Sequence, residues 1–375
     1  MISYLVSKIK QKGFRWFIWR LGHEVRNPTT PCLQVTLDKY VYIKKKFSKI
    51  WIKSKEDDFL YAIYDLDINS ITFNVVEFLI DAEYESNKRN KKGFVLVFMP
   101  RSNNPNLKYD EYDKIYDSTS KHWRFQNIVI PLTFLSEKCK GTYLLPERSD
   151  AIEFVKGREI YPDLYDGVNI RPASGSAYIQ KFDRPNMFDG LRAPKQGLRY
   201  IQTWLKENRI TKPIVTITIR DSQFDKARNS NIEAWSQFAN YLLSTDFHPV
   251  VIPDTDTAFI EKPQFNGITV FKECAWNIGL RVSLCESAFL NFTSPNGAGA
   301  ISVFNPRCSY IFMNALPEGS FIATEEILRK DGWPIGSSFK FATPKQKLVF
   351  KKETFENIKY EFDLFQKEHN SQSTS

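Results

Sequence analysis

Residues 214–254 read IVTITIRDSQFDKARNSNIEAWSQFANYLLSTDFHPVVIPD, and no other stretch limits the possible folds as much. Val215, Ile217 and Ile219 alternate with threonines in a β-branched run that stops at Arg220. This predicts a strand that delivers a guanidinium to its carboxyl end, the end at which open α/β sheets bind ligands. A nine-residue polar loop, 221–229, follows. Ser230 and Glu233 then have the spacing of a capping box, and Ile232, Trp235, Ala239 and Leu242 repeat with helical period. The chain turns back through Pro249 into a second apolar run that ends in Asp254. Strand, helix, strand in this order predicts a right-handed parallel crossover.

The same alternation extends in both directions. Phe59 begins a strand that ends in Asp65 and Asp67, 70–87 has amphipathic helical spacing, and GFVLVFMP is a buried strand leading to Arg101. A polar loop, 101–120, precedes an expected helix over 123–135 and a weaker strand over 142–145. Pro162, Pro172, Pro185 and Pro194 punctuate 161–197, an expected interdomain region leading into a helix over 194–208. Beyond Asp254 come a strand over 268–271, a helix over 278–288, a strand over 289–293, the small-residue loop SPNGAG, a short helix and a strand over 310–313. That makes five strands in the second half, the pattern of a doubly wound parallel sheet. An amphipathic helix over 353–367 is expected to pack back across the domains, and NSQSTS reads as a disordered tail. The fold class is therefore α/β, with two Rossmann-like domains facing a cleft, divided as 31–190 and 191–340. An N-terminal amphipathic helix (1–30) and a C-terminal helix and tail (341–375) flank them.

The formal charge of +9 suggests nucleic acid until it is located. Residues 1–55 hold 13 Lys or Arg against Glu24 and Asp38, which is +11 and leaves −2 for the other 320 residues. No basic groove interleaved with aromatics appears in the two main halves, so no nucleic-acid partner is expected. Within 1–26, Phe14, Phe17, Ile18, Leu21 and Val25 share one helical face, with Trp16 and Trp19 at its border and Lys8, Lys12, Arg15 and Arg26 elsewhere. Such a helix suits an anionic membrane surface, and equally a helix packed on the body with its lysines in water. A second basic patch, Lys44–Lys46 with Lys49 and Lys53 around Phe47 and Trp51, tips the balance slightly toward a lipid surface as partner. No apolar run approaches the ~20 residues that span a bilayer, and no signal-peptide pattern is present. Five cysteines without a C-x-x-C pair point to a reducing compartment. The expected location is cytoplasmic.

Arg220, Asp254 and the loop 294–299 should share one edge of the second sheet. Ser294, Asn296, Gly297 and Gly299 would let backbone amides approach an anion, with a helix amino terminus adding positive potential. An arginine fork beside them suits a diphosphate. The loop lacks the Gly-Lys-Ser/Thr ending of a P-loop and is not G-x-G-x-x-G. Arg228, Asn229 and Asn231 are ligand candidates because their loop exceeds the usual length, with ordinary loop polarity as the alternative. Arg220 has a salt bridge to Asp221 or Asp225 as its alternative, Asp254 and Asp256 have turn capping, and Glu286 is either a ribose ligand or solvated. Asp65 and Asp67 are the candidate catalytic bases, against turn formation. His23, His122 and His248 sit in no constellation, Asp254-Thr255-Asp256 is not flanked as a metal site requires, and neither metal nor cofactor is expected.

Two such halves, with VTITIRDSQFDKARNSNIEAWSQFANYL followed by VVIPDTD, and LRVSLCESAFLNFTSPNGAG, resemble the GT-B class of glycosyltransferases. Within that class they are similar to bacterial proteins of surface-polysaccharide biosynthesis and, distantly, to the fucosyltransferase-like members. The resemblance implies a metal-independent enzyme that moves a sugar from a nucleotide-sugar donor to a glycan or lipid-linked acceptor, and adds a peripheral place at the inner face of the plasma membrane. Arg220 and the 294–299 loop would hold the donor phosphates, and the first domain would take the acceptor. The chain departs from many such enzymes in lacking a His base and the E-x-x-x-x-x-x-E ribose motif. Two other readings stay open: a nucleotide-sugar epimerase of the same architecture, and a non-catalytic glycan-assembly scaffold.

Overall fold

A computed structural model describes residues 57–102, 114–163, 165 and 179–370, together with Lys39. The amphipathic stretch 1–26, the basic patch at 44–53, most of the polar loop after Arg101 and residues 371–375 lie outside the described residues. Among the described residues no helix is long and apolar enough to cross a membrane.

Two wholly parallel sheets carry the chain. The first consists of β1 (Phe59–Asp65), β2 (Gly93–Met99), β3 (Cys139–Leu144) and β4 (Ile160–Tyr161), in the order β3-β2-β1-β4. β1 and β2 are apolar on both faces, as strands covered on both sides must be, and pair from Phe59 opposite Gly93 to Asp65 opposite Met99. Their connections are α1 (Val75–Lys88), then α2 (Ser118–Arg124) continuing through a π-helical turn into α3 (Ile130–Thr133), then α4 (Arg148–Val155). Ala151 and Val155 of α4 pack with Tyr61, Ile63, Val95 and Val97.

α5 (Lys195–Glu207) leads into the second sheet. Its strands are β5 (Ile214–Thr218), β6 (His248–Ile252), β7 (Thr269–Val270), β8 (Leu290–Thr293), β9 (Tyr310–Phe312) and β10 (Gln346–Leu348), in the order β10-β9-β8-β5-β6-β7. There are six strands, not five; three-residue β10 has no alternation for a pattern to reveal. The chain builds outward from β5 through β6 to β7, then crosses back to β8, so the topological switch point lies between β5 and β8. Across that line Thr216 donates to Asn291 Oδ1, and Asn291 Nδ2 donates to the Cys285 and Ser309 carbonyls. A fully satisfied polar pair in a buried seam fixes the register of the two strands.

Both faces of this sheet are covered. On one, α6 (Ile232–Leu243) and α10 (Phe355–Asn370) place Trp235, Phe238, Leu242, Ile358 and Phe362 against Val215, Ile217 and Phe292. On the other, Ile201 of α5 and Leu284 of α7 (Ile278–Ser287) meet Ile214, Val250 and Ile252, and Trp204 stacks on Phe271 at 4.2 Å. α10 thus belongs to the second core. The capping box at Ser230 and Glu233 is not formed: Asn231 is the N-cap, its side chain accepting from the Ala234 N–H at 3.2 Å. The reciprocal bond to the N-cap N–H comes from Glu353, 2.8 Å away, which also accepts from Trp235 Nε1.

By contact density the chain divides into two units whose paths interleave. One comprises residues 1–70, 82–109 and 138–173; the other comprises 71–81, 110–137 and 174–375. Two segments that follow β1 and β2 in sequence are therefore counted with the second unit.

Candidate functional site

β5 ends at Thr218; the Ile219 N–H still reaches the Ile252 carbonyl, and Arg220 follows it off the sheet. Its N–H donates to Ser230 Oγ at 2.9 Å and its carbonyl accepts from the Ser230 N–H at 3.0 Å, which closes the polar loop at its neck. Inside the loop the Asn229 side chain pairs with both main-chain groups of Ser222, at 3.1 and 3.0 Å. Asp225 adopts a left-handed conformation (φ 53°) and its buried carboxylate accepts from Ser320 Oγ at 2.6 Å. The long loop is a built structure, and Asn229 and Asn231 are absorbed in holding it and capping α6.

The guanidinium of Arg220 turns back onto main-chain oxygen, donating to the Phe224 and Asp225 carbonyls, while its buried Nε has no hydrogen-bond partner. Neither Asp221 nor Asp225 forms the salt bridge that was its alternative; Asp221 pairs with Lys262. Arg228 donates from Nε to the Pro295 carbonyl at 2.9 Å, and Ser230 Oγ lies 3.2 Å from Ser294 Oγ. The loops after β5 and β8 are thereby tied together at the switch point, as the positions of Arg220 and Ser294 predict.

A third arginine, absent from the sequence reading, belongs to this edge. Arg281 stands on the first turn of α7, is 3% exposed, and donates only to the Cys274 carbonyl at a long 3.5 Å. Its guanidinium carbon lies 5.9 Å from the Phe73 ring, the ring that approaches Gly297. No carboxylate stands within ion-pair distance of Arg220, Arg228 or Arg281 among the described residues. Burial pushes all three guanidinium groups below their usual range. For Arg228 the neighbouring Arg220 adds to the effect, bringing it to about 10. Asp254 is the carboxylate whose field reaches both Arg220 and Arg281, and burial holds its own acid form up.

The small-residue loop is internally bonded and closely packed. Asn296 Oδ1 takes the Gly299 N–H at 2.6 Å and Asn296 Nδ2 reaches Thr293 Oγ1. A Cβ on Gly297 would lie 3.2 Å from Phe73 Cβ, and one on Gly299 would lie 3.0 Å from the Phe312 ring, so both glycines answer to close packing. The helix that follows, α8 (Ala300–Val303), is a single turn and adds no macrodipole to speak of. Arg220, Arg228 and Arg281 bring positive charge to this edge from side chains.

Asp254 and Asp256 act as a turn and a clasp. Asp254 accepts from the Asp221 and Asp256 N–H groups at 3.0 and 3.1 Å. Asp256 takes the Arg124 guanidinium and the Tyr116 hydroxyl, the latter at 2.8 Å, and Arg124 lies over the Tyr116 ring at 4.3 Å. Among the described residues no group of three or more His, Cys, Asp or Glu is arranged to hold a metal ion. Glu286 is not brought to this edge: it ends α7 near the amino end of β8, accepting from the Ala193 N–H at 2.7 Å and Asn305 Nδ2 at 2.8 Å.

In the first unit Asp65 ends β1 1% exposed, with both carboxylate oxygens taken by Arg148, at 2.9 and 2.8 Å, and a further bond from the Tyr165 hydroxyl. Asp67 accepts from the Ser102 N–H and lies 3.0 Å from Arg148. Both candidate bases are engaged in one buried ion-pair cluster.

Neither protein-family models nor curated proteins gave a match to the sequence. Solved structures similar to this chain include the ADP-heptose lps heptosyltransferase II of E. coli, with 10% identity over 83% of this chain and 99% of that one and a TM-score of 0.48. A glycosyl transferase family 9 protein of Veillonella parvula has 9% identity over 83% and 90%, with a TM-score of 0.39. E. coli heptosyltransferase WaaC with ADP has 9% identity over 82% and 100%, also with a TM-score of 0.39. Likeness of this degree transfers neither ligand nor activity.

Proposed function

We propose that the carboxyl edge of the second sheet binds the diphosphate of a nucleotide sugar and that the protein transfers the sugar to a glycan or lipid-linked acceptor in bacterial cell-surface polysaccharide biosynthesis. The observation that carries the reading is the pair of buried arginines, Arg220 and Arg281, with half-buried Arg228 beside Arg220, none of them in ion-pair contact with a carboxylate among the described residues. Burying an unpaired charge is costly, and two such charges with a third, half-buried one at the ligand edge are relieved by a ligand with at least two negative charges. Planar guanidinium forks match phosphate oxygens, and charge that grows on a departing diphosphate is stabilised by groups already in place. On this reading the first unit takes the acceptor, and residues 1–26 bring the enzyme to the inner face of the membrane. Arg220 would play the part of the strand-end arginine of fucosyltransferase-like enzymes.

The engagement of Asp65 and Asp67 favours a second reading, a non-catalytic glycan-assembly protein that keeps the donor site. A nucleotide-sugar epimerase would convert the donor with no acceptor present. A thermal-shift panel of nucleoside diphosphates and nucleotide sugars tests the site, because a ligand that binds only the native state raises the midpoint by mass action. We expect a shift with one base that Arg228→Ala reduces by an order of magnitude in affinity, the scale of one charge-assisted contact. An equal titration in that variant would refute the role. Binding without turnover in the presence of acceptor glycans would select the scaffold.

A further inference from the structure

The loop that leaves β9 returns to the arginine-bearing loop and is fastened to it. Ser320 Oγ donates to the Asp225 carboxylate at 2.6 Å and accepts from the Ala323 N–H at 2.9 Å. Gly319, with φ +82°, directs its empty Cβ position to 3.7 Å from Ala227 Cβ, one residue before Arg228. This fastening presents Phe321, 50% exposed, edge-to-face with half-buried Phe224 at 5.5 Å and 79°. Phe224 is also the residue whose carbonyl receives the Arg220 guanidinium. An edge-to-face pair leaves at least one ring face uncovered by the other, and here the backbone beneath both rings is held by side-chain hydrogen bonds. Phe224 N–H, for instance, donates to Ser222 Oγ at 3.1 Å.

A half-exposed phenyl ring on a fixed backbone, one residue pair away from a cluster of unneutralised guanidinium groups, fits a ligand with a planar ring joined to phosphate. Stacking on an aromatic face is tolerant of which base is offered and adds affinity without an ordering cost in the protein. A flexible isoprenoid tail gains little from such a surface, so the arrangement separates nucleoside diphosphates from lipid diphosphates. We infer that Phe321, supported by Phe224, is the platform on which the base of a nucleoside diphosphate stacks. It would thus determine specificity for the ring, as distinct from the phosphates. This inference rests on the reading of the arginine edge as a diphosphate site.

Isothermal titration of the full chain with pyrophosphate, ADP, GDP, UDP and dTDP tests both, using the wild type, Phe321→Ala and Phe321→Trp. Phe321→Ala should lower affinity for the best nucleoside diphosphate by about tenfold or more, the scale of one lost base–aromatic stack, and leave pyrophosphate binding as it was. Phe321→Trp should restore the nucleoside preference, which a merely structural role would not. The platform is overturned if Phe321→Ala binds nucleoside diphosphates as the wild type does, if it loses pyrophosphate equally, or if no nucleoside diphosphate binds the wild type better than pyrophosphate. Failure of the wild type to bind pyrophosphate or any nucleotide would overturn the diphosphate site itself, and the platform with it.

Discussion

Arg281 is a buried cation with the Phe73 ring and the thiols of Cys274 and Cys285 near its guanidinium and one long hydrogen bond. An arrangement of that kind trades stability for a function, since replacing a buried unpaired charge by an apolar chain of similar volume is commonly stabilising. Arg281→Met is therefore expected to raise the stability of the unliganded protein by roughly 1–3 kcal/mol in urea denaturation while weakening diphosphate binding. A lowered urea midpoint would show that the charge already has its partner. Arg220 was legible in the sequence because a charge that ends an apolar run stands out. Arg281 was not, because it interrupts a helical stripe, and only the order of the strands brings the first turn of α7 to the ligand edge. Asp65 shows the converse: its place at the end of β1 was legible, but its engagement depends on Arg148, 83 residues away.

At the scale of elements, the amino terminus of α6 shows a local motif giving way to a distant group. Ser230 and Glu233 have the right spacing, yet Ser230 is drawn into the neck of the preceding loop and Asn231 takes the cap. Glu353 then supplies the carboxylate from another part of the chain. Burial holds the Glu353 acid form above its ordinary value of 4.5, against the lowering effect of the bonds from the Asn231 N–H and Trp235 Nε1. A folded-state value above the unfolded one means that the folded protein binds the proton more tightly. That stability is present below pH 4.5 and lost as the pH rises through the folded value. Glu353→Gln should remove this slope, so that the wild type falls relative to the variant between mildly acid and neutral pH in denaturant titrations. Parallel curves would show that Glu353 ionises at no cost. The central unit of β5, α6 and β6 was readable because its periods are long; β4 and β10, of two and three residues, have none to read.

For the whole molecule, the net positive charge is gathered at one end of the sequence and each unit is assembled from three separate segments of it. Deleting residues 1–26 is expected to release the protein from anionic phosphatidylglycerol vesicles in flotation, and persistent flotation would remove the membrane from the account. Two parallel α/β sheets were visible in the alternation of strand and helix, but the interleaving was not, because unit membership depends on side-chain partners that no local pattern records. The clasp on Asp256 illustrates this: Arg124 precedes it by 132 residues and Tyr116 by 140. During synthesis, at roughly 5–20 residues per second, the segment bearing Tyr116 and Arg124 leaves the ribosome on the order of ten seconds before its partner exists. The second sheet is itself completed only by β10 and α10, the last elements of the described residues. Until β10 and α10 have been made, the apolar surfaces of β9 and α6 that they cover have no partner in the nascent chain.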